Sequence, residues 1–412
     1  MSDVLVGTGE GRETVSALSG PLAAEKVLPT DYVDALLIGR VWDPETAGPR
    51  VCVVEGENLT DITPLVPTVS QALENPGALE DIARDSSRRF SLSEVIVNSD
   101  PVDPDSPHLL APIDLQVVKA CGVTFVDSMI ERVIEEQCAG DPEKAEQVRN
   151  DIALALGGTL RGVRPGSARA SEIKELLMER DIWSAYLEVG IGPDPEVFTK
   201  APVLASVGYG AKVGIPDFSS WNNPEPELVL LVNSQGTAVG ATLGNDVNLR
   251  DVEGRSSLLL GKAKDNNASS ALGPFVRVFD SDFQLETVAE ADIALEVLGT
   301  DGFHLDGVNS VSQISRPLPE LVAATWGTHH QYPDGFALYT GTLFAPTQDR
   351  DTPGQGFTHH PGDRVAISAT QLGTLVNTTW PTEDLDPWTW GIGRQMAYLK
   401  SVQSGDSSEE MS

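Results

Sequence analysis

Short apolar segments separated by turn residues predict a strand-rich chain after about residue 200. Leu228–Val232 and Thr237–Leu243 are apolar runs on either side of Asn233-Ser234-Gln235-Gly236, the pattern of two antiparallel strands joined by a tight turn. Before residue 200, apolar residues recur at helical spacing. This spacing predicts helices over about 128–139, 142–156 and 170–187.

The first hundred residues predict a small α/β unit. Runs typical of strands at Val33–Trp42 and Arg50–Val54 precede helical spacing over Val69–Leu73 and Leu79–Ala83. Pro101–Pro107 is rich in proline and aspartate, which disfavours helix and central strand and predicts a linker. We predict an α+β fold in four parts: a mobile leader over 1–25, a small N-terminal α/β domain over 26–108, a β-rich catalytic domain over 109–398 and an acidic tail over 399–412.

Composition and charge narrow the classes of partner. The 412 residues are 40% hydrophobic and carry a formal charge of −33, without a basic stripe, so we expect neither nucleic acid nor an anionic membrane as a partner. The first residues lack the pattern of a signal peptide, and no apolar stretch is long enough to span a bilayer. Three cysteines without C-x-x-C spacing do not predict disulfides. We expect a cytoplasmic protein that acts on a small molecule.

Three acidic residues at the open end of the predicted hairpin indicate a cation site. Glu225 and Glu227 are two residues apart on a strand, so their side chains point to the same face. A symmetric turn places Asp246 opposite residue 223 and therefore on that face, whereas a slip of one residue would move it to the other face. Three carboxylates without His or Cys suit Mg²⁺, Mn²⁺ or Ca²⁺ rather than zinc.

Lys264 favours a cation site over the simpler alternative, an edge strand with exposed acids in which Pro226 blocks pairing. The chain has few basic residues, and an anionic substrate bound beside a metal needs a local positive group in so negative a protein. The competing interpretation of Lys264 is a solvated loop cation.

Other motifs do not predict a site. Gly7, Gly9 and Gly11 resemble a phosphate-binding loop, but no strand of normal length precedes them and no helix with an acidic partner follows. His329-His330 and His359-His360 are adjacent pairs, and neighbours in an extended chain point to opposite faces. We therefore interpret both pairs as polar loop residues rather than metal ligands.

Several motifs together resemble the fumarylacetoacetate hydrolase family. They are P-E-P-E-L, G-N-D-V-N-L-R-D, A-K-D-N-N-A-S-S-A-L-G-P, T-G-T (Thr340–Thr342) and P-G-D-R-V-A-I-S-A-T-Q-L-G-T-L-V-N. The segments C-G-V-T-F-V-D-S-M-I-E-R, E-V-F-T-K, H-H-Q-Y-P-D-G and D-P-W-T-W-G extend a similarity to the sugar-acid dehydratases of that family from about residue 30 to 396. The resemblance implies a mixed β-roll for the catalytic domain and a homodimer or a dimer of dimers.

The resemblance also implies roles for nine residues. In it, Glu225, Glu227 and Asp246 bind Mg²⁺, Glu196 and Lys264 transfer protons, and Thr342, Ser128, Glu253 and Lys200 contact the substrate. Thr342 matches the position that holds the substrate carboxylate, and Glu253 is a second candidate acid or base. Which of Glu196 and Lys264 is the acid and which the base stays open.

One departure from the family pattern separates two reactions. Hydrolases of the family carry N-Y-x-x-H-x-x-E, whereas the matching positions here are Thr124, Phe125, Ser128 and Glu131, so the histidine that activates water is missing. The resemblance therefore implies Mg²⁺-dependent dehydration of 2-keto-3-deoxy-D-xylonate to 2,5-dioxopentanoate, although the L-arabinonate derivative is not distinguished. An acylpyruvate hydrolase, a 2-oxo acid decarboxylase, and a non-catalytic protein that binds a divalent ion and a small acid remain alternatives.

Overall fold

The computed structural model describes residues 18, 20–139, 141–156, 160, 162–179, 183–344 and 346–404. Its strands are β1 (Leu37–Asp43), β2 (Gly48–Glu55), β3 (Asn58–Asp61), β4 (Arg89–Ser91), β5 (His108–Leu110), β6 (Val117–Gly122), β7 (Glu196–Ala201), β8 (Lys212–Ile215), β9 (Asn222–Asn223), β10 (Pro226–Val232), β11 (Ala238–Asp246), β12 (Asn248–Leu249), β13 (Ser270–Val278), β14 (Asp292–Leu298), β15 (His304–Ser310), β16 (Phe336–Tyr339), β17 (Arg364–Ala369) and β18 (Gly373–Pro381). Its α-helices are α1 (Ala24–Val27), α2 (Val69–Glu74), α3 (Leu79–Arg84), α4 (Leu92–Asn98), α5 (Val126–Gln137), α6 (Ala145–Leu156), α7 (Ala168–Glu179), α8 (Ala185–Ile191), α9 (Arg250–Glu253), α10 (Leu260–Lys264), α11 (Leu285–Ala289), α12 (Leu318–Thr325) and α13 (Ile392–Ser404).

Two large sheets organise the described residues. Ten strands of an 11-stranded sheet follow the order β4-β3-β2-β1-β13-β11-β10-β16-β6-β7, and the eleventh, β5, pairs with β1. A five-stranded sheet has the order β15-β14-β17-β18-β8. Most pairs are antiparallel, whereas β16 runs parallel to β6 and β18 parallel to β8. Together with the helices, these sheets confirm the predicted α+β class.

Strand β10 lies inside the larger sheet and is buried along its whole length. Leu228 and Leu230 pack into one apolar cluster, and Val229 and Leu231 pack into another. A strand covered on both faces needs apolar residues at consecutive positions, which explains why this segment lacks the alternation of a half-exposed strand. Glu225 and Glu227 lie at the N-terminal end of this strand and are therefore inside the protein as well.

The larger sheet continues across the predicted boundary between the two domains. Strand β1 pairs with β13, with Leu37 opposite Arg277. The division into domains at residue 108 stays a prediction. Leu18 and Leu22 are buried, so this part of the predicted leader packs against the core. Helix α13 extends to Ser404, into the predicted tail, and Gly7, Gly9 and Gly11 lie outside the described residues.

The predicted helices are observed with one correction. Helices α5 and α6 match the first two predictions, and a 3₁₀ turn over Pro142–Lys144 precedes α6. The single helix predicted over 170–187 is wrong, because α7 ends at Glu179 and Ser184 is extended. The Ser184 hydroxyl accepts a hydrogen bond from the Leu187 N–H, an N-cap that starts α8 as a separate helix. Within the described ranges, the helices are too short or too polar to cross a bilayer.

Candidate active site

The hairpin formed by β10 and β11 brings the three acids together, although its predicted register is wrong. A register shift between Leu231 and Val232 changes the pairing, and the Asp246 N–H donates to the Glu225 carbonyl at 3.1 Å. Asp246 therefore lies opposite Glu225 rather than residue 223. The error is two residues, and because strand side chains alternate with a period of two, Asp246 stays on the predicted face.

Glu225, Glu227 and Asp246 form a buried carboxylate cluster. One oxygen from each residue lies within 4.8 Å of the others, and none of the three residues is more than 2% exposed. Burial, followed by the charges of Asp246 and Glu225, raises the pKa of Glu227 well above its ordinary value. A divalent cation would remove this penalty, and three oxygen donors suit Mg²⁺, Mn²⁺ or Ca²⁺. The residues present therefore fit such an ion, and its binding stays a prediction.

Lys264 is part of the cluster rather than a solvated loop cation. It ends α10, is buried, and places its Nζ 2.5 Å from Glu225 Oε2 and 3.1 Å from Asp246 Oδ2. Burial opposes the charged form, but the surrounding acids, Asp246 and Glu225 foremost, outweigh it and raise the pKa of Lys264. The ammonium group is therefore protonated at neutral pH.

Lys200 supports the cluster from behind and does not line the cavity. Its side chain is fully buried, its Nζ lies 2.7 Å from Asp246 Oδ1, and it donates to the carbonyl oxygens of Val247 and Lys264. These protein partners use the donors of the ammonium group, so the predicted contact with substrate is not what the structure shows. Burial would raise the pKa of Asp246, but Lys200 and Lys264 outweigh burial and lower it. Lys200 thus holds one acid ionised.

The other predicted residues of the site line one small cavity together with the carboxylate cluster. Its lining comprises Cys121, Gly122, Val123, Ser128, Arg132, Glu196, Phe198, Glu225, Glu227, Asp246, Glu253, Lys264 and Thr342. The T-G-T segment reaches the cluster directly, because the Gly341 N–H donates to Glu227 Oε2 at 2.7 Å. The Thr342 hydroxyl donates to the Phe344 carbonyl at 3.0 Å. Strands β6, β7, β10 and β11 and helices α5, α9 and α10 all contribute to the cavity.

Two carboxyl groups of the cavity have raised basicity. Burial raises the pKa of Glu196, although Lys264 and Arg132 partly offset it. Burial likewise raises the pKa of Glu253 to about 7, against the opposing effect of Arg132. A carboxyl group whose pKa approaches the working pH can both take up and release a proton, which is the property that general acid–base chemistry needs. Both groups share the cavity with the charged Lys264.

Arg132 is a site residue that the sequence analysis missed. It lies on α5, donates to Glu225 Oε1 and to Glu135 Oε2, the latter at 2.6 Å, and places its NH1 3.3 Å from Glu253 Oε2. Ser128, Arg132 and Glu135 recur at i, i+4 and i+7, so they share one face of the helix. Polar residues at this spacing, in a helix whose other buried positions include Met129, were the available signal.

A series of buried ion pairs extends from Arg132 away from the cavity. Fully buried Arg250 donates from Nε to Glu135 at 2.6 Å and from NH2 to Glu131 at 3.0 Å. Arg149 on α6 makes two further hydrogen bonds to Glu131. Glu131, which aligns with the glutamate of the hydrolase motif, is thus engaged by two arginines and does not line the cavity. The series fixes α5 against α6 and α9.

The histidine pairs lie outside the cavity lining, as predicted. His359 is nevertheless buried, with Nδ1 3.2 Å from Asp363, and Asp363 also binds Arg350. His360 contacts Asp351 at 3.0 Å. These contacts show that His359 and His360 connect loops rather than simply face the solvent.

Known proteins resemble this chain in sequence and in fold. It shares 27% identity over 299 residues with the probable 2-keto-3-deoxyxylonate dehydratase of Haloferax volcanii, covering 72% of this chain and 84% of that protein. It shares 29% identity over 182 residues with the 2-dehydro-3-deoxy-D-arabinonate dehydratase of Saccharolobus solfataricus, covering 44% of this chain and 57% of that protein.

A solved structure of 2-keto-3-deoxy-D-arabinonate dehydratase complexed with magnesium and 2,5-dioxopentanoate has a TM-score of 0.59 and 20% identity, covering 84% of this chain and 99% of that chain. At this identity the likeness concerns the fold alone. Residues 185–379 match the family model described as fumarylacetoacetate (FAA) hydrolase C-terminal, and this segment contains the carboxylate cluster, Glu196, Lys264 and Thr342. Residues 185–379, slightly less than half of the chain, are therefore similar to the fumarylacetoacetate hydrolase family.

Proposed function

We propose that the protein is a hydro-lyase that dehydrates a 2-keto-3-deoxy-pentonate to 2,5-dioxopentanoate. The reaction uses a divalent cation, for which Mg²⁺ is the first candidate. The observation that carries the proposal is one cavity that joins three metal-type carboxylates, a protonated lysine and two carboxyl groups of raised basicity. The names of the two dehydratases from Haloferax volcanii and Saccharolobus solfataricus support the same reaction class.

The substrate chemistry explains why these groups belong together. Glu225, Glu227 and Asp246 would hold the cation, which would polarise the keto oxygen and stabilise the negative charge that develops there. Thr342 binds the substrate carboxylate. Glu196 takes the proton from C3, and the Lys264 ammonium gives a proton to the C4 hydroxyl as its C–O bond breaks. One proton and one hydroxide leave, which together make one water.

Two proton shifts then give the product. The unsaturated 2-oxo acid carries its double bond between C3 and C4, beside the C5 hydroxyl. Removal of a C5 proton and addition of a proton at C3 moves this bond to C4–C5. The resulting enol becomes an aldehyde when C4 gains a proton and the C5 hydroxyl loses its proton. Glu196 and Glu253 are the groups we propose for these shifts, because each pairs cavity access with raised basicity.

The hydrolase pattern of the family uses a histidine that the cavity does not offer among its described residues. Ser128 occupies the position of the water-activating histidine, and none of the lining residues is a histidine. A serine hydroxyl can hydrogen-bond to substrate but is too weak a base to activate water at neutral pH. This difference favours dehydration over acylpyruvate hydrolysis.

The expected homodimer or dimer of dimers stays a prediction.

The test is turnover of 2-keto-3-deoxy-D-xylonate with Mg²⁺, coupled to NAD reduction by a dioxopentanoate dehydrogenase. The L-arabinonate derivative, assayed in parallel, decides the preferred configuration at C4. Glu227→Gln should abolish metal-dependent turnover, and exposed Glu57→Gln is the matched control that should retain it. Full activity in excess chelator would refute the role of the metal. Normal turnover by Glu196→Gln would refute the role of that residue.

A further inference from the structure

We propose that Gly122 is a positioning residue, whose missing side chain fixes where the Glu196 carboxylate lies in the cavity. The proposal rests on the proton-transfer role given above to Glu196. Gly122 ends β6 and pairs directly with Glu196, the first residue of β7. Both residues line the cavity.

The contact between the two residues is steric. A Cβ atom added at Gly122 would lie 1.8 Å from Glu196 Oε2 and 2.7 Å from its Cδ. Directly opposed residues in an antiparallel pair have neighbouring side chains on the same face, so a carboxylate can occupy this space only when the partner is glycine. The Glu196 side chain thus lies where the Gly122 side chain would otherwise be.

Among the described residues, none donates a hydrogen bond to the Glu196 carboxylate. This arrangement suits a group that moves protons. Hydrogen bonds donated to a carboxylate stabilise its charged form and weaken it as a base, whereas the space beside a glycine admits the carboxylate without that effect. Gly122 therefore places Glu196 while leaving both of its oxygens available to the substrate.

The atom that would clash is the far end of a flexible side chain, so Gly122→Ala should fold and displace the carboxylate rather than the strand. A displacement of about 1 Å in a reacting group can cost about 100-fold in rate, so we expect kcat to fall about 100-fold. KM and Mn²⁺ affinity should change less than about threefold, because the metal cluster is untouched. Gly77→Ala, whose added Cβ meets nothing within 4 Å, is the control.

A double-mutant cycle separates positioning from general damage to the strand. Glu196→Asp shortens the side chain by one methylene and makes room for a Cβ at position 122. In the Glu196→Asp background, Gly122→Ala should therefore lower kcat by less than about threefold. In the wild-type background, the same substitution should lower kcat about 100-fold. Equal losses in the two backgrounds, or wild-type kcat for Gly122→Ala alone, would overturn the proposal.

Whether the single and double variants fold provides a second test of the proposed clash. If Gly122→Ala alone does not fold, recovery of folding in Gly122→Ala/Glu196→Asp locates the clash at the carboxylate, and a double variant that stays unfolded overturns the proposal. The Glu196→Gln variant distinguishes a failure of the Gly122 proposal from a failure of the proposed function. Turnover that survives Glu196→Gln removes the role of Glu196, whereas loss in Glu196→Gln with full activity in Gly122→Ala removes only the role of Gly122.

Discussion

The carboxylate cluster should make the metal-free protein less stable than a variant that cannot bind metal. Glu227 lies within 4.8 Å of the oxygens of Glu225 and Asp246. Two unit charges at that distance repel each other by about 3 kcal/mol at an effective dielectric constant of about 20. Lys264 forms ion pairs with Glu225 and Asp246, and its charge offsets only part of the repulsion at Glu227. Replacing Glu227 by glutamine removes both of its repulsive interactions.

Protonation of Glu227 sets the upper limit of the stability gained by the Glu227→Gln substitution. Burial and the neighbouring acids raise the pKa of Glu227 well above its ordinary value, so the folded metal-free protein can escape repulsion by binding a proton. Holding a proton at pH 7 on a group whose unfolded pKa is about 4.3 costs about 4 kcal/mol. Glu227→Gln, which can still accept the Gly341 hydrogen bond, should therefore stabilise the metal-free protein by up to about 4 kcal/mol, or a Tm rise of roughly 4 °C or less for a chain of this length.

The assay is thermal and urea unfolding of wild type and Glu227→Gln, each in chelator and in Mg²⁺, at pH 5 and pH 8. In chelator the variant should be the more stable protein, with a larger difference at pH 8, because an acid of raised pKa loses stability as pH rises above its unfolded pKa. In Mg²⁺ the order should reverse, since only the wild type gains from binding. A variant that is less stable than wild type in chelator at pH 8 would refute the electrostatic reasoning.

Three further outcomes follow from the same contacts. Lys200→Met should destabilise the protein by about 3–5 kcal/mol in urea unfolding, because it leaves buried Asp246 without one of its cations, whereas exposed Lys400→Met should change stability by less than about 0.5 kcal/mol. Arg132→Lys should lower kcat about 10- to 100-fold, because one ammonium group cannot replace contacts to three carboxylates, and wild-type kinetics would contradict this. The Tm increase produced by Mg²⁺ in the wild type should be greater at pH 8 than at pH 5, because metal binding displaces protons from the cluster, and equal increases would contradict it.

Local sequence rules determined the hairpin and the shared face of its acids. Strand side chains alternate with a period of two, so Glu225 and Glu227 were placed side by side without knowledge of the rest of the chain. The register was predicted wrongly by two residues, because the turn closes between Asn233 and Thr237 and the pairing shifts again between Leu231 and Val232. The prediction of the face survived only because that error was even.

The resemblance to a family located residues that are distant in sequence, but it did not show what each one touches. Lys200 was expected at the substrate, and its complete burial against Asp246 and backbone carbonyls places it behind the cluster. Arg132 was not singled out, since its importance comes from Glu225 and Glu253, which other parts of the chain bring to it. A charge that is buried among partners cannot be distinguished from a surface charge by its own neighbours in sequence.

The sequence by itself determined the α+β class, the two apolar strands of the hairpin and the shared face of the three acids, because these depend on residue type and on the two-residue period of a strand. The tertiary structure decided the balance of charge in the cavity and the position of Glu196 over Gly122. Charge balance depends on distances between separate elements, and the Gly122 contact depends on which strands pair. Both are set only when β6, β7, β10, β11 and α5 pack into one protein.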